Sequence, residues 1–114
     1  MSTVHTSENA MTEKVVMLTE QAESDLRGIY EYIAFELLEP DYAKGQIDRL
    51  EKHILDLANF PKRYREYEDE PWKSRGMRMM SVDNYVVFYI PDDSKSVVTV
   101  NRIMYSARDF KSQL

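Results

Sequence analysis

Cysteine is absent from this 114-residue chain, which excludes disulfides and thiolate chemistry and is compatible with a reducing cytoplasm. Glycine is scarce. Gly28, Gly45 and Gly76 are the whole set, too scattered to build a phosphate-cradling loop. The two histidines, His5 and His53, lie far apart, so the sequence offers no metal-ligand cluster and no Ser–His or Cys–His nucleophile pair. His53 falls near the polar side of a helical segment and reads as a surface residue. No stretch approaches the roughly 18 apolar residues of a membrane helix, and no apolar signal core follows Met1. The expected location is therefore the cytoplasm, with no membrane contact, and no motif calls for a cofactor.

What is present describes a single soluble domain: hydrophobic residues make up 43% of the chain and charged residues 31%. The net charge of −5 argues against a protein that coats nucleic acid by bulk electrostatics. Its distribution is uneven. Residues 1–60 carry 5 Lys/Arg against 12 Asp/Glu, whereas residues 61–114 carry 10 against 8, so any positive surface belongs to the second half. Residues 1–12 are polar and lack periodicity; they read as a disordered leader, an expression remnant, or the stretch before a start at Met11. Residues 13–114 form the domain.

Glu13 to Leu18 is short, apolar and β-branched, which suits a strand. Thr19 can cap a following helix, with Glu20, Glu23 and Asp25 at its positive end. Ala22, Leu26, Ile29, Tyr30, Ile33 and Leu37 then recur at spacings of three and four, and Pro40 stops the helix. Pro40 also opens a second helix, whose apolar stripe is Ala43, Ile47, Leu50, Ile54, Leu57 and Ala58. The connection is so short that the two helices must form an antiparallel hairpin. Lys62 to Arg75 has no period, carries both signs of charge and holds Tyr64, Tyr67 and the single tryptophan, Trp72. Three strands follow at Met77–Val82, Tyr85–Ile90 and Val97–Met104, separated by Asp83-Asn84 and by the turn cluster Pro91 to Ser94. The expected fold is α+β in the order β-α-α-β-β-β: a small antiparallel sheet packed against an N-terminal helical hairpin.

The basic residues of the second half are Arg63, Arg65, Lys73, Arg75, Arg78, Arg102 and Arg108. Those in the loop interleave with acids as on an ordinary solvated surface. Arg78 and Arg102 differ because strand alternation fixes the face each takes, so either can be held to grip a phosphate or carboxylate. Tyr105 and Arg108 follow the last strand. They can be read as proton donor and phosphate clamp for RNA cleavage, or as a packed tyrosine and a paired arginine. Tyr64, Tyr67 and Trp72 suit base stacking or, better, a protein-binding patch, since Glu66 to Glu70 would repel phosphate. Tyr85, Val87 and Tyr89 lie on one face of the central strand, and Val86, Phe88 and Ile90 on the other. Two helices cover only one face of a small sheet, so a partner segment is expected on the second.

Asp25-Leu26 with Ile29, Tyr32-Ile33-Ala34, Arg49-Leu50 with Ile54 and Leu57, and Phe60-Pro61 carry a resemblance that continues through Gly76-Met77-Arg78, Val82-Asp83-Asn84-Tyr85, Phe88-Tyr89 and Arg102 to Asp109. In order and spacing these resemble the RelE/ParE superfamily of toxins from type II toxin–antitoxin (plasmid stabilisation, or addiction) modules, and the ParE branch in particular, over residues 13–109. The resemblance implies a small toxin neutralised by a cognate antitoxin, through which alone operator DNA is reached. In the ParE branch it implies inhibition of DNA gyrase by protein contact, without catalysis. In the RelE branch it implies a ribosome-dependent mRNA endoribonuclease (an mRNA interferase), for which Arg78, Arg102, Tyr105 and Arg108 would be the catalytic set. Val86 stands where RelE-type cleavage would want an arginine, Arg108 matches a functional arginine of RelE-like toxins, and Tyr105 replaces a histidine common in ParE-like tails. A third reading is a non-toxic binding module on the same fold. Target contact is expected at Arg78, Tyr105 and Arg108, and antitoxin contact at Tyr85, Val87, Tyr89 and Trp72.

Overall fold

A computed structural model of the chain describes residues 2–4 and 14–114. β1 (Ser2–Val4) and β2 (Val15–Leu18) are followed by α1 (Glu20–Glu31), α2 (Pro40–Leu55), β3 (Arg78–Val82), β4 (Tyr85–Asp92), β5 (Val97–Tyr105) and a final turn of helix, α3 (Phe110–Gln113). The sheet order is β1-β2-β5-β4-β3. β3, β4 and β5 form the antiparallel meander, and β2 lies beside β5 in parallel register, Val15 opposite Val97 to Leu18 opposite Val100. The sheet is thus mixed. Ser2–Val4, placed in the leader by the sequence, pairs antiparallel with the outer edge of β2, whose free backbone groups are a ready template for a strand. The rest of the leader (Met1 and residues 5–12), together with Glu13 of the expected first strand, lies outside the described residues.

Thr19 caps α1: its Oγ1 accepts from the Ala22 N–H at 3.1 Å and donates to the Asn101 carbonyl at 2.9 Å, tying the helix start to β5. Beyond Glu31 the helix continues through Glu36 as a wider turn, closed by the Leu37 N–H to Tyr32 C=O bond. Each five-residue ring advances the phase of the stripe. Ala34 therefore joins Ile33 in the interior, and Leu37, assigned to the buried stripe by its spacing, stands 51% exposed. Tyr30 is likewise at the margin. Leu38 then takes a left-handed φ of 56° before Pro40 opens α2.

One face of the sheet packs under the helices: Val16, Leu18, Met80, Val82, Val87, Tyr89, Val98, Val100 and Ile103 meet Ala22, Leu50, Ile54 and Leu57. Full burial of each such aliphatic side chain contributes about 1.5–3 kcal/mol. Tyr89 donates its hydroxyl to the Pro61 carbonyl at 2.5 Å, and burial pushes its ionisation well above the ordinary tyrosine range. The chain covers the opposite face itself. Tyr67 and Met77, from the aperiodic loop, close over Val86, Phe88 and Met104, with Trp72, Ile90, Phe110 and Leu114 at the margin. The Phe88 ring meets Tyr67 at 5.6 Å and Phe110 at 4.9 Å, both edge-on.

Two expectations change accordingly. The second face is not left bare: among the described residues, Tyr67, Met77, Trp72, Phe110 and Leu114 of the loop and tail pack against it. Val87 and Tyr89, expected at a partner surface, are fully buried beneath α1 and α2, where alternation along β4 aims them inward. Tyr85, at the strand's end, is half-buried.

Candidate functional site

Arg78, at the start of β3, sends Nη1 to the carbonyls of Lys62 and Tyr64 at 3.1 and 2.6 Å, while Nη2 lies 3.5 Å from Glu66. It ties the aperiodic loop to the sheet edge. Arg102 is held more completely. Its Nε and Nη2 donate to the two oxygens of Asp25 at 2.8 and 3.1 Å, and its Nη1 donates to the Gln113 carbonyl at 2.8 Å. Asp25 Oδ2 also accepts the Ile103 N–H at 2.8 Å.

The cause of that cluster lies in the sheet. β2 stops at Leu18, opposite Val100, so the edge of β5 beyond it has no strand to pair with. A bulge at Asn101 turns the strand there, since Phe88 pairs with Arg102 but Tyr89 with Val100. The Asp25 carboxylate of α1 takes the place of the missing strand. Both predicted grips, Arg78 and Arg102, are thus spent on internal bonds.

Past that point β5 and α1 diverge, and a cleft of about 870 Å³ opens between the helical hairpin, the β4 and β5 ends and the C-terminal segment. Tyr105 lies at its mouth, 49% exposed, with its ring 5.9 Å from that of Tyr85. A tight turn follows. The Arg108 N–H returns to the Tyr105 carbonyl at 3.0 Å, and the Ser106 N–H bonds the Asn84 carbonyl at 2.8 Å, locking this turn to the β3–β4 hairpin. That hairpin is pinned in turn. Asp83, at φ 53°, accepts from Gln46 Nε2 at 2.9 Å and Arg49 Nε at 2.8 Å, and these bonds, Arg49's first, hold its carboxyl below the usual carboxylate range.

Arg108 and Arg102 are the two cations lining the cleft among the described residues, and of the two only Arg108 makes no ion pair. Aromatic side chains share the lining with them. Tyr32 and Tyr42 come from the two helices, 56% and 55% exposed. The Tyr85 hydroxyl is raised above the ordinary tyrosine range, first by burial and then by the nearby Tyr42, Tyr105 and Tyr32. The arrangement is one exposed guanidinium among four phenols, suited to a carboxylate or backbone carbonyl on a docking protein.

The remaining candidates are dispersed. Trp72 is half-buried on the far face with Arg75 stacked 5.1 Å from its ring. Tyr64 packs edge-on against Tyr89 on the helix side, whereas Tyr67 packs on the opposite side, so the expected aromatic trio does not share a surface. Arg63 pairs with Asp56 and Lys73 with Glu68, as solvated charges do. Sequence reasoning missed Tyr32 and Tyr42. Their signal was aromatic residues standing off the buried stripe of each helix.

A mixed sheet under a helical hairpin, with its open end marked by Tyr105 and Arg108, defines a RelE/ParE-type toxin fold. A family model describing the ParE toxin of the type II toxin–antitoxin system parDE matches residues 16–110, and the chain belongs to that family. Similar solved structures are the chromosomal ParDE system of P. aeruginosa (TM-score 0.65, 17% identity, covering 85% of this chain and 98% of that one) and the RelBE2 complex of Mycobacterium tuberculosis (0.59, 22%, 86% and 97%). The isolated E. coli RelE toxin is similar too (0.55, 16%, 86% and 90%). No curated protein matches the sequence. Among the described residues no helix is long and apolar enough to cross a membrane.

Proposed function

We propose that this ParE-type toxin acts in the cytoplasm by protein contact on DNA gyrase, engaging it through the open end of the sheet, and that a cognate antitoxin neutralises it. One observation carries the reading: of the arginines that a nuclease would need as phosphate clamps, Arg78 and Arg102 are bonded internally, and Arg108 alone stands uncommitted beside exposed aromatic side chains. An unpaired arginine sharing a cleft with four tyrosines has the composition of a protein-binding hot spot. Phosphoryl transfer asks for several charges aimed at one developing anion. The similar ParDE and RelBE2 structures are toxin–antitoxin systems, which supports an antitoxin as the second partner.

The test is controlled expression in bacteria of the full chain and of Arg108→Ala, following labelled thymidine, labelled amino acids and trapped gyrase cleavage complexes. Early loss of DNA synthesis with trapped complexes, abolished by Arg108→Ala, is the expected result. Early loss of protein synthesis with cut messenger RNA would replace it with the endoribonuclease reading, and an absence of any growth defect with the non-toxic binding module.

A further inference from the structure

The outer end of the helical hairpin adjoins the cleft at Leu37 and carries an exposed surface past it. The wide turn at Tyr32–Glu36 carries Leu37 off the buried stripe to 51% exposure, and its chain neighbours Phe35 and Leu38, the latter at left-handed φ, stand 65% and 78% exposed. A leucine at positive φ costs about 1–2 kcal/mol, and such strain recurs where a protein holds a side chain for a ligand. The Tyr30 ring braces Phe35 edge-on at 6.3 Å. In the same stretch Glu31, Glu36, Glu39 and Asp41 are all exposed, and no lysine or arginine occurs from Gly28 to Ala43, with Arg27 and Lys44 at its two ends. Arg49, reaching back over the Tyr42 ring at 5.9 Å, is already held by Asp83.

We propose that this tip docks a basic amphipathic helix of a protein partner, its leucine-like residues covering Phe35, Leu37 and Leu38 and its lysines or arginines facing the four carboxylates. The chemistry selects among occupants. A nucleic acid or an anionic lipid surface would meet four like charges. A second copy, joined about a two-fold axis, would set the same acidic rim against itself, because such an interface opposes each patch with its own image. A basic helix satisfies both the apolar centre and the rim. The proposal rests on the tip alone and stands whether or not gyrase is the target.

The test uses the full chain and three peptides of about 18 residues: leucines at helical spacing flanked by lysine, the same flanked by glutamate, and a scrambled lysine peptide of identical composition. By fluorescence anisotropy the lysine amphipathic peptide is expected to bind about tenfold tighter than either control. Its binding should weaken as salt rises from about 50 to about 300 mM, as exposed charge pairs do. Phe35→Ser with Leu38→Ser should remove about 90% of that affinity with the urea midpoint unchanged, since both side chains are exposed. Glu36→Lys with Glu39→Lys should shift preference toward the glutamate peptide. Absence of binding, or equal binding of a control peptide, would overturn the proposal. So would a sedimenting dimer of the free chain that Leu38→Ser dissociates, because a second copy would then be the occupant.

Discussion

Replacing Asp25 by alanine removes the group that stands in for the missing strand at the β5 edge, and its cost can be worked from three bonds. Two come from the Arg102 guanidinium at 2.8 and 3.1 Å and one from the Ile103 N–H at 2.8 Å. Breaking a fully buried ion pair by deleting one partner costs about 3–5 kcal/mol. These side chains keep 16% and 21% of their exposure, so solvent recovers part of the arginine's loss, and about 2–4 kcal/mol remains. At a urea slope of about 2 kcal/mol per molar the unfolding midpoint falls by about 1–2 M. Asp25→Asn keeps an acceptor for Ile103 and should lose about half as much. A double-mutant cycle with Arg102→Ala isolates the pair, and its coupling should exceed about 1 kcal/mol. A midpoint within about 0.2 M of the parent, or additive single effects, would show that Arg102 is free for a ligand and that the edge holds without Asp25.

Arg108→Ala should abolish growth inhibition while leaving the unfolding free energy from urea titration within about 0.5 kcal/mol of the parent, because no carboxylate among the described residues depends on it. Leu38→Gly should stabilise the fold by about 0.5–1 kcal/mol in the same assay, since the relieved left-handed strain outweighs glycine's entropy and the exposed leucine loses no burial. Tyr89 ionises above its unfolded value of about 10, so the stability it confers is complete below that pH and is lost as pH rises through the folded value. Urea midpoints measured from neutral pH upward should therefore fall in the parent, and less steeply in Tyr89→Phe, which starts lower by the lost bond to Pro61. Asp83 has the opposite sign. Its lowered pKa makes its contribution present above the ordinary carboxylate range and lost as pH falls through the folded value, and Asp83→Asn should flatten that acid limb.

The succession from β2 to β5 was legible because each element rests on a local period: threes and fours in Ala22, Leu26 and Ile29, twos in Val86 and Phe88, a two-residue loop at Asp83-Asn84; β1 and α3 carry no such period and were not. Tyr105 and Arg108 were legible as a pair because one turn separates them. What the sequence concealed lies in relations between distant residues. Nothing near Arg102 announces that a carboxylate 77 positions earlier will take two of its donors, and nothing near Arg78 announces the carbonyls of Lys62 and Tyr64. The stripe through Leu37 failed for a different reason. A single wide turn changes the phase of every residue after it, and no side chain in Tyr32–Glu36 marks that turn.

The same geometry explains why the uncommitted groups gather at one end. Along most of β5 the backbone is paired on both sides, by β4 and by β2 or Asp25, and the loop and α3 close the sheet's second face. Past Ile103 only β4 remains beside β5, opposite Met104 and Tyr105. There the buried cluster of Ile33, Ala34 and Ala43 joins the two helices, Tyr32, Phe35 and Tyr42 stand exposed around it, and Arg108 makes no ion pair among the described residues. A variant that shortened the hairpin by one turn from each helix would therefore be expected to keep the core of Leu50, Ile54 and Tyr89 while removing both the cleft and the acidic tip. Retention of partner binding by such a folded variant would place function elsewhere on the sheet.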